Sequence, residues 1–385
     1  MTQNPCPIKT TTFFQTLQQT PGLDTRDNRG KKQSIALVIT GVVLALCCGR
    51  DGSLSSLHRH MVSKFDSLCQ ATGQESVKPI SRAQLPLLLA KVNGVLFANL
   101  LFSWFGLELD ADLKRWFALD GKELRGSIEP GHTRGEACVS ALAHDTQEVV
   151  QQAYYEGTKE SEKPIVRQLL NDTGLYSQKV TLDALHFNPL TVKAIHGAGG
   201  VYVIGLKANQ AHLYRHCLCT GLVGKTTYER SDVAQRGHGR IDQRSYRCFT
   251  LAGSVFAPRW KDGGLNTLII VKRIRQSLDG TLLSEEESYF LSNSRPTTQA
   301  EADELFDAIR CHWRIEVMHH VRDVTLAEDA FRSGSQAVNR LMSSFRTLTV
   351  NLLKRKKVKN MVAQIEGFMD TFDTLIQFMT QQLVL

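Results

Sequence analysis

The stretch from Lys179 to Leu206 constrains the fold of this chain more than any other. Residues 179–182 form an extended run that stops on Asp183. Asn188 then offers an N-cap side chain, Pro189 takes the first helical position and Gly197 closes the helix. The apolar run 201–206 follows as a strand buried on both faces. Strand, helix and strand within about 30 residues require a right-handed crossover between parallel neighbours. The sheet must be at least partly parallel, and the architecture is α/β.

Around this unit the pattern extends both ways. Residues 115–120 read as a strand stopped by Gly121, and 138–143 and 148–155 as two more. A helix is expected over 162–170 after the N-cap Ser161. Residues 207–295 break the alternation with short β-type runs at 245–251, 267–274 and 287–291, which predicts a β-rich insertion. Helix returns over 300–326, and amphipathic patterns follow at 337–353 and 361–379. Before residue 107, apolar helical stretches alternate with polar breaks. The expected organisation is an N-terminal helical module (1–107), a catalytic α/β domain (108–353) and a basic, amphipathic C-terminal tail (354–385). At 385 residues the chain exceeds what one core readily serves.

The apolar run 35–48 follows two lysines but starts too late for a secretory signal and is too short for a bilayer, so a buried helix and a cytoplasmic protein are expected. Nine scattered cysteines without paired spacing fit reduced thiols. His216, Cys217 and Cys219 lack the spacing of a zinc knuckle. The net charge is +8, and residues 330–365 hold no acid but eight cations, from Arg332 to Lys359. Such a concentration favours a polyanionic partner.

Three acids stand out. Asp120 and Asp183 each end a predicted strand, and ligand sites in such sheets gather at the carboxyl ends of strands. Glu316 lies on a helix where Leu305, Ile309, Trp313, Val317, Val321 and Val324 form an apolar stripe expected to pack on the sheet. His312, Glu316, His319 and Asp323 flank that stripe. A zinc site from His312, Glu316 and His319 lacks the order used by helical zinc enzymes. Hard oxygen ligands point to Mg²⁺ or Mn²⁺. Two such ions about 4 Å apart would suit in-line displacement at a phosphodiester. Glu328 is the rival for the third acid.

Candidate DNA contacts cluster by the same motifs. Lys122 and Arg125 follow the first acid between glycines, and Lys207, Asn209 and Gln210 follow the last parallel strand. Arg236, His238, Arg240 and Arg244 dominate the insertion, while Arg310, His312 and Arg314 precede Glu316.

These segments together resemble the DDE-type insertion-sequence transposases, specifically the Rhs-linked, H-repeat-associated family. The likeness is carried by residues 118–127 (ALDGKELRGS), 180–184 (VTLDA), 206–210 (LKANQ), 238–241 (HGRI), 312–316 (HWRIE), 322–325 (RDVT) and 328–330 (EDA), in order along residues 24–353. The sequence departs from the common pattern at Ala208, Val317, His320 and residues 185–187. The resemblance implies a ribonuclease H-like catalytic domain and assigns a metal-ligand triad to Asp120, Asp183 and Glu316. It further implies dependence on Mg²⁺, binding of terminal inverted repeats and target DNA, cut-and-paste transposition, and a homodimer on DNA.

Overall fold

A computed structural model describes residues 11–385 except 51, 75–77, 105–108, 111, 157–158, 252 and 358–359, and the side chains of 159–160. The expected boundary at Leu107, the Cys6 thiol and the Lys359 charge lie outside the described residues.

Six helices come first: α1 (Phe13–Gln19), α2 (Ile35–Cys47), α3 (Leu54–Ser63), α4 (Phe65–Thr72), α5 (Gln84–Leu89) and α6 (Gly94–Trp104). Next, β1 (Trp116–Glu123), β2 (Glu136–Ala143) and β3 (Val149–Glu156) form an antiparallel meander. α7 (Lys159–Asp172) leads to β4 (Lys179–Leu182), α8 (Pro189–Gly197) and β5 (Val201–Leu206), with β4 parallel to both β1 and β5. The crossover unit is as its sequence demands, down to Asn188 capping α8 through the Thr191 N–H at 3.1 Å.

The order β3-β2-β1-β4-β5 is that of a ribonuclease H-like sheet. The stretch expected as an insertion does not stand apart from it. After α9 (Ala211–Val223), strands β6 (Tyr228–Ser231), β7 (Gln235–Gly237), β8 (Arg240–Thr250), β9 (Thr267–Ser277) and β10 (Leu282–Ser292) continue the same sheet, because β10 pairs antiparallel with β5. The result is one ten-stranded mixed sheet. Helices α10 (Gln299–His320), α11 (Gln336–Arg355), α12 (Met361–Asp370) and α13 (Phe372–Gln381) complete the chain.

Alternation along β1 sorts the layers. Phe117 and Leu119 join the core beneath α7, α8 and α9, while Ala118 faces the other way. On that second side α10 packs through Ala302, Leu305 and Phe306 against Val203, Tyr246 and Ile269. The expected stripe on α10 is therefore rotated. Trp313, Val317 and Val324 are exposed, and the buried face farther along the helix runs through Ile315, Met318 and His319.

The helical parts also differ from the sequence reading. α2 is buried along its entire length, as a helix apolar all round must be. It shares one core with α11, α12 and α13. Leu383 and Val384 accept backbone hydrogen bonds from Phe13 and Phe14, at 2.8 and 3.0 Å. The N-terminal module and the C-terminal tail are thus one helical body. Much of the basic run is spent inside the molecule: Arg346 is buried, Arg340 pairs with Glu136, Arg355 pairs with Glu148, and Lys354 donates to the Gln147 carbonyl. The last three of these cations hold the helical body to the β2–β3 side of the sheet, while Arg332, Lys356 and Lys357 are exposed.

Two glycines of the Asp120 motif are set by close packing. Gly121 does not stop β1, which runs on to Glu123, and the Glu162 carboxyl occupies the space its side chain would need. At Gly126 a Cβ would lie 1.9 Å from the Phe331 carbonyl oxygen. Backbone cannot yield there as a side-chain tip could, so Gly126→Ala is expected to cost about 1–3 kcal/mol, measured by urea unfolding.

Candidate active site

Asp120 lies mid-strand on β1, on the face turned to α10. His319 Nδ1 stands 3.4 Å from its Oδ2. Two residues along β1, Lys122 Nζ meets Asp323 Oδ1 at 2.6 Å. Two strand residues span about 6.6 Å and four helical residues about 6 Å, so the two pairs lock α10 to β1 in a single register. That register brings Glu316, one turn before His319, to the same end of the sheet.

Asp183 stands where β4 ends and caps the short turn after it, accepting the Leu185 N–H at 3.0 Å. Its side chain is 45% exposed, open to an incoming ligand. Between the acids sits His312, whose Nδ1 meets Thr181 Oγ1 at 2.9 Å. Thr181 in turn meets His144 Nε2 at 3.2 Å.

Two of the carboxylates act on the third. Burial, then the charges of Asp120 and Asp183, push the Glu316 carboxyl above its usual range. Asp120 goes the opposite way: burial would raise it, but the His319 hydrogen bond and charge, with His312 and the Gly121 N–H, hold it below the ordinary value. Burial lowers His312 against the pull of both aspartates. As they stand, no three His, Cys, Asp or Glu side chains among the described residues are closed round a single ion. The fit to a divalent cation is one of chemistry and neighbourhood: oxygen donors, and a mutual repulsion that positive charge would relieve.

Two cavities meet at Glu316 and His312. One, of about 390 Å³, is lined by Asp183, Lys207, Tyr214, Tyr289 and Glu316. The other, of about 630 Å³, runs between α10 and the β7–β8 hairpin and is lined by Arg236, His238, Arg240, Arg244, Arg273 and Arg310. His238 and Gly239 both have positive φ and form the tip of that hairpin, which explains the glycines bracketing the histidine. Burial and the neighbouring Arg310 and Arg273 lower the Arg244 guanidinium, the mark of crowded like charges.

Other expected contacts lie elsewhere. Lys122, expected beside a phosphate, is buried and engaged by Asp323, Asp329 and Glu328. Arg314 points to the other side of α10 and donates to the His144 carbonyl at 2.7 Å. Gln210 bridges the Phe187 carbonyl and Arg259, while Asn209 and Arg125 are exposed. Glu328, the rival third acid, is buried against Arg322 at 2.7 Å, with Lys122 at 3.7 Å. Glu316 is the acid that Asp120 and Asp183 act upon. His216, Cys217 and Cys219 do not converge on a metal: Cys217 is buried, Cys219 is exposed and His216 meets Ser254. Sequence reading missed Glu162 and His186, described below. The only signal was the atypical run at residues 185–187.

A sheet of this order with acids at one end and a basic groove beside them is the setting of a polynucleotide-processing enzyme. The transposase DDE domain family model matches residues 113–352, and the chain belongs to that family. It is 25% identical over 275 residues to "Putative transposase YncI" of Escherichia coli O157:H7, covering 69% of each chain. It is also 26% identical over 205 residues to "Uncharacterized protein in dhlA 3'region" of Xanthobacter autotrophicus, covering 51% of this chain and 67% of that one. No described helix is long and apolar enough to cross a membrane.

Proposed function

We propose that this transposase-family chain binds the terminal inverted repeats of an insertion sequence, cuts the DNA at those ends and joins the freed 3′-hydroxyl to target DNA. The observation that carries this reading is the placement of Glu316, which shares one cavity with Asp183, feels the charges of Asp120 and Asp183, and stands at the foot of an arginine-lined groove. These three would hold two Mg²⁺ ions, or Mn²⁺ in their place. Bound there, the ions would supply a polarised attacking oxygen and neutralise the leaving one. The remaining work falls to the chain itself. Arg236, Arg240, Arg244 and Arg310 take the phosphates, and Lys207 reaches the strand from the Asp183 side. His312 and His319 brace the acids from α10. The reaction is a displacement at phosphorus with no covalent enzyme intermediate. Two ends must be brought together, so the working form is a homodimer on DNA, acting in the cytoplasm where bacterial DNA lies.

Incubation of the protein with its own element's end sequences and Mg²⁺ tests this. Cleaved and joined products that disappear in Asp120→Asn support it, and a chain that binds the ends in Mg²⁺ and Mn²⁺ without cutting them refutes it. Arg236→Ala and Arg310→Ala should each weaken binding alike across DNA sequences and reduce the slope of log affinity against log salt by about one. An unchanged slope in a filter-binding titration would remove the groove from the DNA path.

A further inference from the structure

Asp183 is linked to a buried carboxylate that the chemistry above does not use. Glu162, on α7, lies across the sheet from the Asp120 side chain, with its carboxyl where a Cβ on Gly121 would be. Its Oε2 accepts the Tyr155 hydroxyl at 2.9 Å, and its Oε1 meets His186 Nε2 at 2.9 Å. His186 is wholly buried, and the same Nε2 stands 3.8 Å from Asp183 Oδ1. Carboxylate oxygens face Nε2 from two sides, while the buried Nδ1 has no hydrogen-bond partner. The network therefore assigns the ring proton to Nε2, which donates it to Glu162, and Glu162 orients the ring with its Nε2 edge in electrostatic reach of Asp183.

Both oxygens of Glu162 are engaged, so it is not a spare metal ligand. Partners behind a ligating group fix its rotamer and its basicity, and here the partner is anchored under β1, the strand that carries Asp120. We propose that Glu162, acting through His186, is a positioning residue for Asp183: it sets where the second acid stands relative to the first. The inference rests on reading Asp183 as a metal ligand. It also accounts for Gly121, since only a residue without a side chain leaves Glu162 its place.

The test is Mn²⁺ titration of the full chain by calorimetry, with steady-state cleavage of end DNA and melting curves alongside. Glu162→Ala should weaken Mn²⁺ binding by about 10–100-fold and lower kcat by a similar factor, with KM for DNA unchanged. Glu162→Gln keeps an acceptor facing His186 and should restore most of both. The apolar pair Glu162→Met/His186→Leu replaces both partners at similar volume and should stay folded. It should bind Mn²⁺ as weakly as Glu162→Ala, and that weakness cannot then be unfolding. Parent-like Mn²⁺ affinity in Glu162→Ala, while Asp183→Asn has lost it, overturns the positioning role and leaves the site reading intact. Parent-like affinity and cleavage in Asp183→Asn overturns both.

Discussion

Asp120→Asn, Asp183→Asn and Glu316→Gln are each expected to lower Mg²⁺-dependent end cleavage by about 10³-fold or more, the rate equivalent of several kcal/mol of lost charge stabilisation. Stability should move little or rise in Glu316→Gln and fall in Asp120→Asn, whose charge His319 and His312 favour in the folded state. Glu316 keeps one side open to solvent, while partial desolvation of its carboxyl and the charges of the two aspartates push it up. Removing one charge relieves that repulsion, while the amide keeps the shape. A functional site that is electrostatically strained gains stability when its charges are removed and loses activity in the same step. Single-turnover cleavage and thermal melting on the same preparations separate the two effects. A variant that cuts at the parent rate would remove that acid from the site, and one that fails to fold would show it to be structural.

The opposite balance is expected at Arg322 and Glu328. Arg322 is fully buried in the irregular turn that continues α10, donating to Glu328 at 2.7 Å and to Ser343 at 2.6 Å. Removing one partner leaves the other as an uncompensated buried charge, so Arg322→Met or Glu328→Gln should cost about 3–5 kcal/mol. Burial alone would raise the Glu328 carboxyl, but Arg322 and Lys122 together hold it below its ordinary value. A carboxylate depressed in the folded state adds stability that is full above its unfolded pKa and lost as the pH falls through the folded one. Urea unfolding should therefore show this contribution intact at neutral pH and fading below the usual carboxylate range, with Glu328→Gln showing less of that acid dependence. If Glu328→Gln unfolds like the parent but loses Mn²⁺ binding, Glu328 and not Glu316 is the third ligand.

Local signals with only one physical solution were legible in the sequence. Asn188 and Pro189 could open only a helix, and the apolar run after Gly200 could be only a buried strand, so the crossover unit was readable residue by residue. What depended on distant partners was not. The short runs of the insertion gave strands, but nothing local showed that β10 would pair with β5 and merge them into the main sheet. The α10 stripe was placed on the wrong face, because apolar spacing alone does not show that Arg322 and His319 are drawn into the core by their distant partners Glu328 and Asp120. Part of the basic run was hidden for a related reason. Charge density suggests solvent and phosphate, yet Arg340 and Arg355 answer the acids Glu136 and Glu148, some 200 residues upstream. Gly121 carried the most hidden information. It read as a strand end, and only the folded chain shows the Glu162 carboxyl that requires it.

The most direct measurement is anomalous scattering from crystals of the protein soaked in Mn²⁺. The expected result is density for the ion among the carboxylates of Asp120, Asp183 and Glu316, lost in crystals of Asp183→Asn. Mn²⁺ bound elsewhere, or a map empty between those three acids at saturating Mn²⁺, would contradict the account.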